Sequence, residues 1–392
     1  MKHIILRISI LVLIIQASQA SAQITTENGW YATNELQDIA LIYYGATWRN
    51  KGTVEDFKPL VTHTFADGHT DWFFPGFLFL ELDYNQVTFC PGFGKRNATR
   101  NDWERYLDQQ FLANRGLKAL DACITMCKNQ LGEPPFRHKV VIGIPSPVKD
   151  NMDWGEVNGR KLYFNRANDR LIAAKWYIDN FIKRFAQAQI KNIDVEGFYW
   201  IDESTKNAGD VIRPVADYIH SIGKRFYWIP YFNAPGRFSW RELGFDIAYL
   251  QPGYFFHPGK VDKSRIDEAC KLARQNGMGL EFEIDQRHLE KRDQFKGRAA
   301  AYLDAFDKNG VFENSAIAYY FSAKTVNMLA SSKIQEDIAL LDRWASFVAQ
   351  RNKRHQAKDT TPSSNQDNSI YNRTPPNLKK GNRKLNPEDW HF

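Results

Sequence analysis

Carboxylates gather in two short apolar runs of this chain. One ends Trp200-Ile201-Asp202-Glu203, and the other reads Gly279-Leu280-Glu281-Phe282-Glu283-Ile284-Asp285. Period-two alternation in the second run sends Leu280, Phe282 and Ile284 to one face of a strand and Glu281, Glu283 and Asp285 to the other. Three acids on an inner face are costly to desolvate, so they must pair with cations, share protons or line a wet site. Two carboxyls projecting from separate strands, one with a raised pKa as proton donor and one ionised as nucleophile or base, are what glycosidic cleavage needs. Glu203 and Glu283 are the expected catalytic pair, with Glu203 as acid/base and Glu283 as nucleophile. Glu281 is expected deeper on the strand and Asp285 at the rim. The competing readings are a structural ion network on the second run and, at Glu203, an acid stabilised by the dipole of a following helix.

The elements that must position these groups alternate along the chain. Eight short runs rich in β-branched and aromatic residues read as buried parallel strands: Asp38 to Tyr44, Phe73 to Leu82, Lys139 to Pro145, Val195 to Ile201, Arg225 to Tyr231, Phe245 to Gln251, Met278 to Ile284 and Ala316 to Phe321. Amphipathic spacing predicts helices over Asp102 to Asn129, Asp169 to Gln189, Asp210 to Ile222, Asp262 to Asn276, Arg292 to Lys308 and Ser332 to Val348. Gly277 is the expected stop of the fourth of these. Trp48 to Trp72 reads as a loop, and the fifth connection, Asn233 to Leu243, is short. The pattern predicts an α/β fold, a single (β/α)8 TIM barrel over residues 23–350, irregular in its first and fifth connections.

Ligands of such barrels sit where strands end and lead into the following loops. Expected substrate-binding residues are Asp71, Trp72, Glu81, Asp202, Tyr231, Asn233, Gln251, Tyr254, Glu281, Asp285 and Tyr320, with Tyr43, Trp48, Trp240 and Phe256 adding rings. Flat aromatics among carboxylates and amides suit the apolar faces and hydroxyls of an oligosaccharide or polysaccharide. His63, His69 and Asp71 match no familiar ligand spacing, so no metal is expected. No phosphate-binding loop, dinucleotide fingerprint or nucleophile elbow occurs, and no cofactor is expected.

Both ends differ from the body. Lys2 and Arg7 accompany the apolar run Ile4 to Ile15, and Ala20-Ser21-Ala22 offers a small-x-small cleavage site, so residues 1–22 read as a signal peptide. The mature chain is then exported, periplasmic or extracellular, with no stable membrane anchor. Residues 351–392 hold nine Lys/Arg and four Asp/Glu with few apolar residues, and read as a basic disordered tail that contacts anionic polymers. The net charge is +7; removing +5 for the tail and +2 for the leader leaves residues 23–350 at zero, so nucleic acid is not an expected partner. Of the four cysteines, Cys123 and Cys127 lie on one helix face and read as neighbouring core thiols.

Asp202-Glu203 resembles the Asn-Glu pair that closes the fourth strand in the large glycosidase superfamily with catalytic carboxylates on strands four and seven. The aspartate puts a charge where that superfamily has an amide donor. Gly197 to Glu203, Tyr227-Trp-Ile-Pro-Tyr-Phe-Asn233, Phe245 to Gly253 and Gly279 to Asp285 together resemble an uncharacterised family of secreted bacterial glycosidase-like TIM-barrel proteins, a domain of unknown function. The likeness runs from about Asp38 to Val348 and implies a barrel, export and a site on the rim that includes Asp71, Trp72 and Glu81, but no catalytic assignment. Three functions follow: a glycoside hydrolase, a barrel that binds glycan or cell-wall fragments without turning them over, or a surface interaction protein anchored through its basic tail to anionic polymer.

Overall fold

Continuous apolar runs bounded by turn residues form strands buried on both faces, and all eight predicted runs do so. The computed structural model describes residues 36–360; the predicted leader lies outside that range, as does the chain beyond Thr360. The strands are β1 (Asp38–Tyr43), β2 (Gly76–Leu80), β3 (His138–Ile144), β4 (Ile193–Trp200), β5 (Arg225–Trp228), β6 (Ile247–Leu250), β7 (Gly279–Glu283) and β8 (Ile317–Tyr320). They pair in parallel in chain order, and β8 closes on β1 with Asp38 opposite Ile317, which makes a TIM barrel.

Two apolar layers result. Phe77, Phe79, Phe198, Trp200, Leu280 and Phe282 face the helices, whereas Leu41, Tyr43, Leu78, Tyr199, Tyr227, Ile247, Tyr249 and Ala318 fill the lumen. Large rings need small neighbours there. A Cβ on Gly279 would stand 2.7 Å from the Tyr249 ring, and one on Gly197 would meet the Arg225 carbonyl at 2.1 Å. Strand β4 carries one extra residue: Val195 pairs with Val140 and Gly197 with Val141, leaving Glu196 bulged. The bulge reverses the strand's alternation, so Val195 faces the helices while Tyr199 and Ile201 face the lumen.

The longer helices are α1 (Val54–Val61), α2 (Arg100–Gln110), α3 (Gly116–Leu131), α4 (Ala167–Gln187), α5 (Gly209–Ser221), α6 (Ser264–Gln275), α7 (Arg298–Lys308) and α8 (Gln335–Thr360). Helix α6 stops before Gly277, whose φ is +58°. Cys123 and Cys127 are free, buried thiols on α3.

Three expectations need correction. The first connection holds a helix, α1, nucleated by a capping box between Thr53 and Asp56; Pro59 within it hides the pattern. The single helix expected over Asp102 to Asn129 is split into α2 and α3, and the one expected over Arg292 to Lys308 into a single turn, Arg292–Phe295, and α7, parted at Gly297, whose φ is +72°. The last helix does not stop at 350. Arg351 is buried and grips Asp38 through Nε at 2.9 and 2.8 Å, donates through Nη2 to the Ser315 carbonyl at 2.7 Å, and also bonds the Phe312 carbonyl. Asn352 is buried too, so the folded body extends past the predicted boundary. Those groups look solvated in sequence because their partners lie at the far end of the chain.

Candidate active site

The C-terminal ends of β4, β6 and β7 bring together the acids singled out by sequence. Glu203 follows β4 in the lumen-facing phase set by the bulge, half-buried beside the Gln251 side chain, whose amide also donates to the Ile229 carbonyl at 3.2 Å. Burial, reinforced by the charge of Asp202 and opposed by Gln251, holds its carboxyl up at about 7.

Glu281 and Glu283 both face inward from β7 and are buried. Glu283 is surrounded by donors. Tyr302 of α7 donates its hydroxyl hydrogen to Oε2, and the Gly253 N–H donates to Oε1 at 3.0 Å. The Phe255 N–H donates to the Tyr302 oxygen at 3.3 Å, so the loop after β6 and helix α7 share one polar network with the carboxylate. Burial raises the Glu283 carboxyl to about 7 against the pull of these donors. Glu281 has no hydrogen-bond or ion-pair partner among the described residues, and burial together with Glu283 and Glu203 pushes it well above the usual carboxylate range. The three acids thus act on one another through space.

Around them, two arginines are spoken for. Arg49 makes a forked contact with buried Glu81, at 2.9 Å from Nε and 2.8 Å from Nη2, and lies over the Tyr43 ring. Arg287 forks onto Asp285 at 2.9 Å from Nε and 2.5 Å from Nη2 and lies over Phe256. Tyr320 links the two sides, edge-on to Tyr43 at 5.6 Å and to Phe256 at 5.4 Å. Cys90, after β2, donates its thiol hydrogen to the Ile201 carbonyl at 3.4 Å beside Glu203.

With that geometry in place, comparison with known proteins adds a family and little more. The model of a domain of unknown function, DUF4855, matches residues 38–346. The chain belongs to that family. No curated protein matches the DUF4855 chain. Among solved structures, a GH18 chitinase, ChiB, from Flavobacterium johnsoniae is 10% identical with a TM-score of 0.40, covering 82% of this chain and 95% of that one. A mutant tryptophan synthase α-subunit from Pyrococcus furiosus is 11% identical with a TM-score of 0.34, covering 81% and 98%. Neither bears on activity, and the barrel assignment rests on strand pairing within the chain itself.

The DUF4855 barrel does not gather every residue expected at its mouth. Asp71 and Trp72 are the clear corrections. They lie on a hairpin strand, Thr70–Trp72, that precedes β2 at the opposite end of the barrel. There Trp72 packs on His138, the first residue of β3, and Asp71 pairs with Lys353 of α8 at 2.8 Å. His63 and His69 belong to the same hairpin and hydrogen-bond Asp342 and Asp67. Trp240 is also no rim residue, being buried with its indole N–H on the Asn276 carbonyl at 3.2 Å.

Other expected binding residues stand at the mouth in structural roles. Glu81 and Asp285 are held by their arginines, and Asp202 accepts from the Ser204 N–H at 3.2 Å and the Asn207 amide at 3.3 Å. The Tyr254 ring lies 3.7 Å under the Arg298 guanidinium. Tyr231, 40% exposed, and exposed Asn233 follow β5 on the rim. Arg49, Cys90, Tyr199 and Tyr302 were not on the sequence-derived site. Tyr199 was findable only by knowing the bulge, and Tyr302 lies in a helical run that carries no chemical signature.

Proposed function

We propose that this DUF4855 barrel is a glycoside hydrolase that cleaves a glycosidic bond with Glu203 as acid/base and Glu283 as nucleophile or base. The observation that carries this reading is a division of surroundings between two carboxyls at one barrel mouth. Glu203 meets a single amide, whereas Glu283 accepts from a phenol and a backbone N–H, donors that favour its ionised form. Near neutral pH the pair holds about one proton. Both carboxyls are held up at about 7, so the proton is shared, and this reading gives it to Glu203, which passes it to the leaving glycosidic oxygen as the C–O bond breaks. Glu283 then either bonds to the anomeric carbon or takes a proton from the attacking water, depending on whether the carboxyls stand about 5–5.5 or about 6.5–9.5 Å apart once substrate is bound.

The reading includes export through the predicted leader, with a polysaccharide or oligosaccharide as substrate. Tail contact with anionic polymers becomes a weaker proposal, because Arg351, Lys353 and Arg354 serve the fold. From residue 361 on, five Lys/Arg against three Asp/Glu leave +2.

The test is turnover of an oligosaccharide panel, followed by reducing-end release. Glu203→Gln and Glu283→Gln should each lower kcat by about 10³-fold or more while retaining binding, an effect of the size expected when a catalytic proton carrier or nucleophile is lost. A second reading, binding without turnover, is favoured by the engagement of both Glu283 oxygens. Saccharide binding with no product from any wild-type reaction selects it.

A further inference from the structure

The mouth holds more acid than it holds free base. Arg49 and Arg287 approach the site, yet each is neutralised by its own forked carboxylate, Glu81 and Asp285. Among the described residues no cationic side chain acts on Glu203 or Glu281. The other titratable groups that face them are acidic or neutral: Tyr43 from β1, Cys90 from the loop after β2, Tyr199 and Asp202 from β4, and Glu283 beside them on β7. Tyr320 on β8 also feels Glu281, and burial raises its phenol to about 12, so it stays neutral.

Glu281 is the telling member of this set. It is 3% exposed, faces the lumen and has no partner among the described residues, while Glu283 beside it is supplied with donors. A buried carboxyl with no donor and no cation is unfavourable when ionised, so it keeps its proton until a cation reaches it. Among the described residues no group of three or more His, Cys, Asp or Glu is arranged to hold a metal ion. A compact group with a positive charge and several N–H donors would complete Glu281. On a sugar, that group is an unacetylated amine.

We propose that the site selects an amino sugar with a free ammonium group over neutral and anionic sugars, and that the ammonium meets Glu281. The inference rests on the glycan reading above and adds the charge of the sugar. An ammonium placed there favours the ionised carboxyls, so binding releases protons from the cluster, which a neutral sugar does not cause.

The test is calorimetric binding to the full mature chain at about pH 6, where glucosamine remains cationic and the cluster holds protons. The probes are a glucosamine hexamer, its N-acetylated counterpart, cellohexaose and a galacturonic acid hexamer. The glucosamine hexamer should bind about tenfold or more tightly than the others, as one additional charge-assisted contact would give. Its advantage should shrink in about 0.5 M salt, and its heats should reveal proton release when buffers of different ionisation enthalpy are compared. Glu281→Gln should reduce the preference to within about threefold, since it keeps the shape and removes the charge. Neutral hexamers binding equally well overturn the inference and leave the glycan reading standing. Absence of binding by any hexamer overturns both. If Glu281→Gln fails to fold, salt dependence and proton release in the unaltered chain still decide.

Discussion

The phenol of Tyr302, on the helix outside the barrel, donates its hydrogen to a carboxylate oxygen of Glu283 inside it. This bond stabilises the ionised carboxyl, so Tyr302→Phe should raise the Glu283 pKa further above its present value of about 7. A nucleophile or base must be ionised, and the acid limb of the kcat/KM profile should therefore move to higher pH. Activity near pH 6 should fall by about tenfold, matching the roughly 1.4 kcal/mol typical of one hydrogen bond to a charged group. A pH-rate profile that does not move would detach Tyr302 from the reaction.

Burial of Glu281 against two other acids has a cost that depends on pH. Its folded-state pKa is raised, so the penalty is absent below the unfolded value of about 4.3, grows as pH rises and is greatest in alkali. Glu281→Gln should therefore stabilise the protein at about pH 8 by about 1–3 kcal/mol, a gain that disappears towards about pH 4.5. Thermal unfolding at both pH values measures it, and equal stabilisation at both would show that repacking, rather than charge, is responsible.

Arg351 should be essential to the closed barrel. Its guanidinium ties α8 to Asp38 on β1 and to carbonyls near β8, and removing it leaves Asp38 buried with, among the described residues, only the Tyr319 hydroxyl, at 2.8 Å, as side-chain partner. Arg351→Ala should cost about 3–5 kcal/mol, as for other buried ion pairs broken on one side. Denaturant titration of chains ending after Gln350 and after Thr360 should separate in the same direction, with only the longer one retaining native stability.

Cys90 offers a probe of the mouth. Burial and the charges of Glu203 and Asp202 push its thiol well above the ordinary range. It should resist iodoacetamide at about pH 8 in the native protein and react once the chain unfolds, as read by peptide mass. Rapid native alkylation at Cys90 would mean that the rim opens far more than the structure indicates.

The barrel was legible in the sequence because strands buried on both faces must be apolar throughout, and runs such as Lys139 to Pro145 have no other reading of comparable length. The acids of β7 were legible for a related reason: strict alternation left Glu281 and Glu283 no face but the lumen. Contacts between distant segments were not. Asp71 and Trp72 adjoin the apolar run of β2, but the chain reaches Pro75 before that strand begins, and their hairpin belongs to the barrel's other end. Arg351 and Asn352 read as solvated polar residues until folding supplies Asp38 and the Phe73 carbonyl. Arg49 found its place through Glu81, a partner that no local spacing announces.

The bulge at Glu196 makes the chemistry of the mouth sensitive to counting as well as to residue identity. Upstream of it β4 runs in one phase and downstream in the other, which gives Glu203 the parity of lumen-facing Tyr199 and Ile201. Inserting one residue between Gly197 and Asp202, with the bulge and the upstream pairing kept, would turn the segment beyond it over and hand that parity to Asp202. A shorter carboxylate would then occupy the acid's place with no amino acid there having been exchanged. In barrels of this design a single-codon insertion can thus act as an active-site mutation, and two chains with identical Asp-Glu motifs need not present the same acid to a substrate.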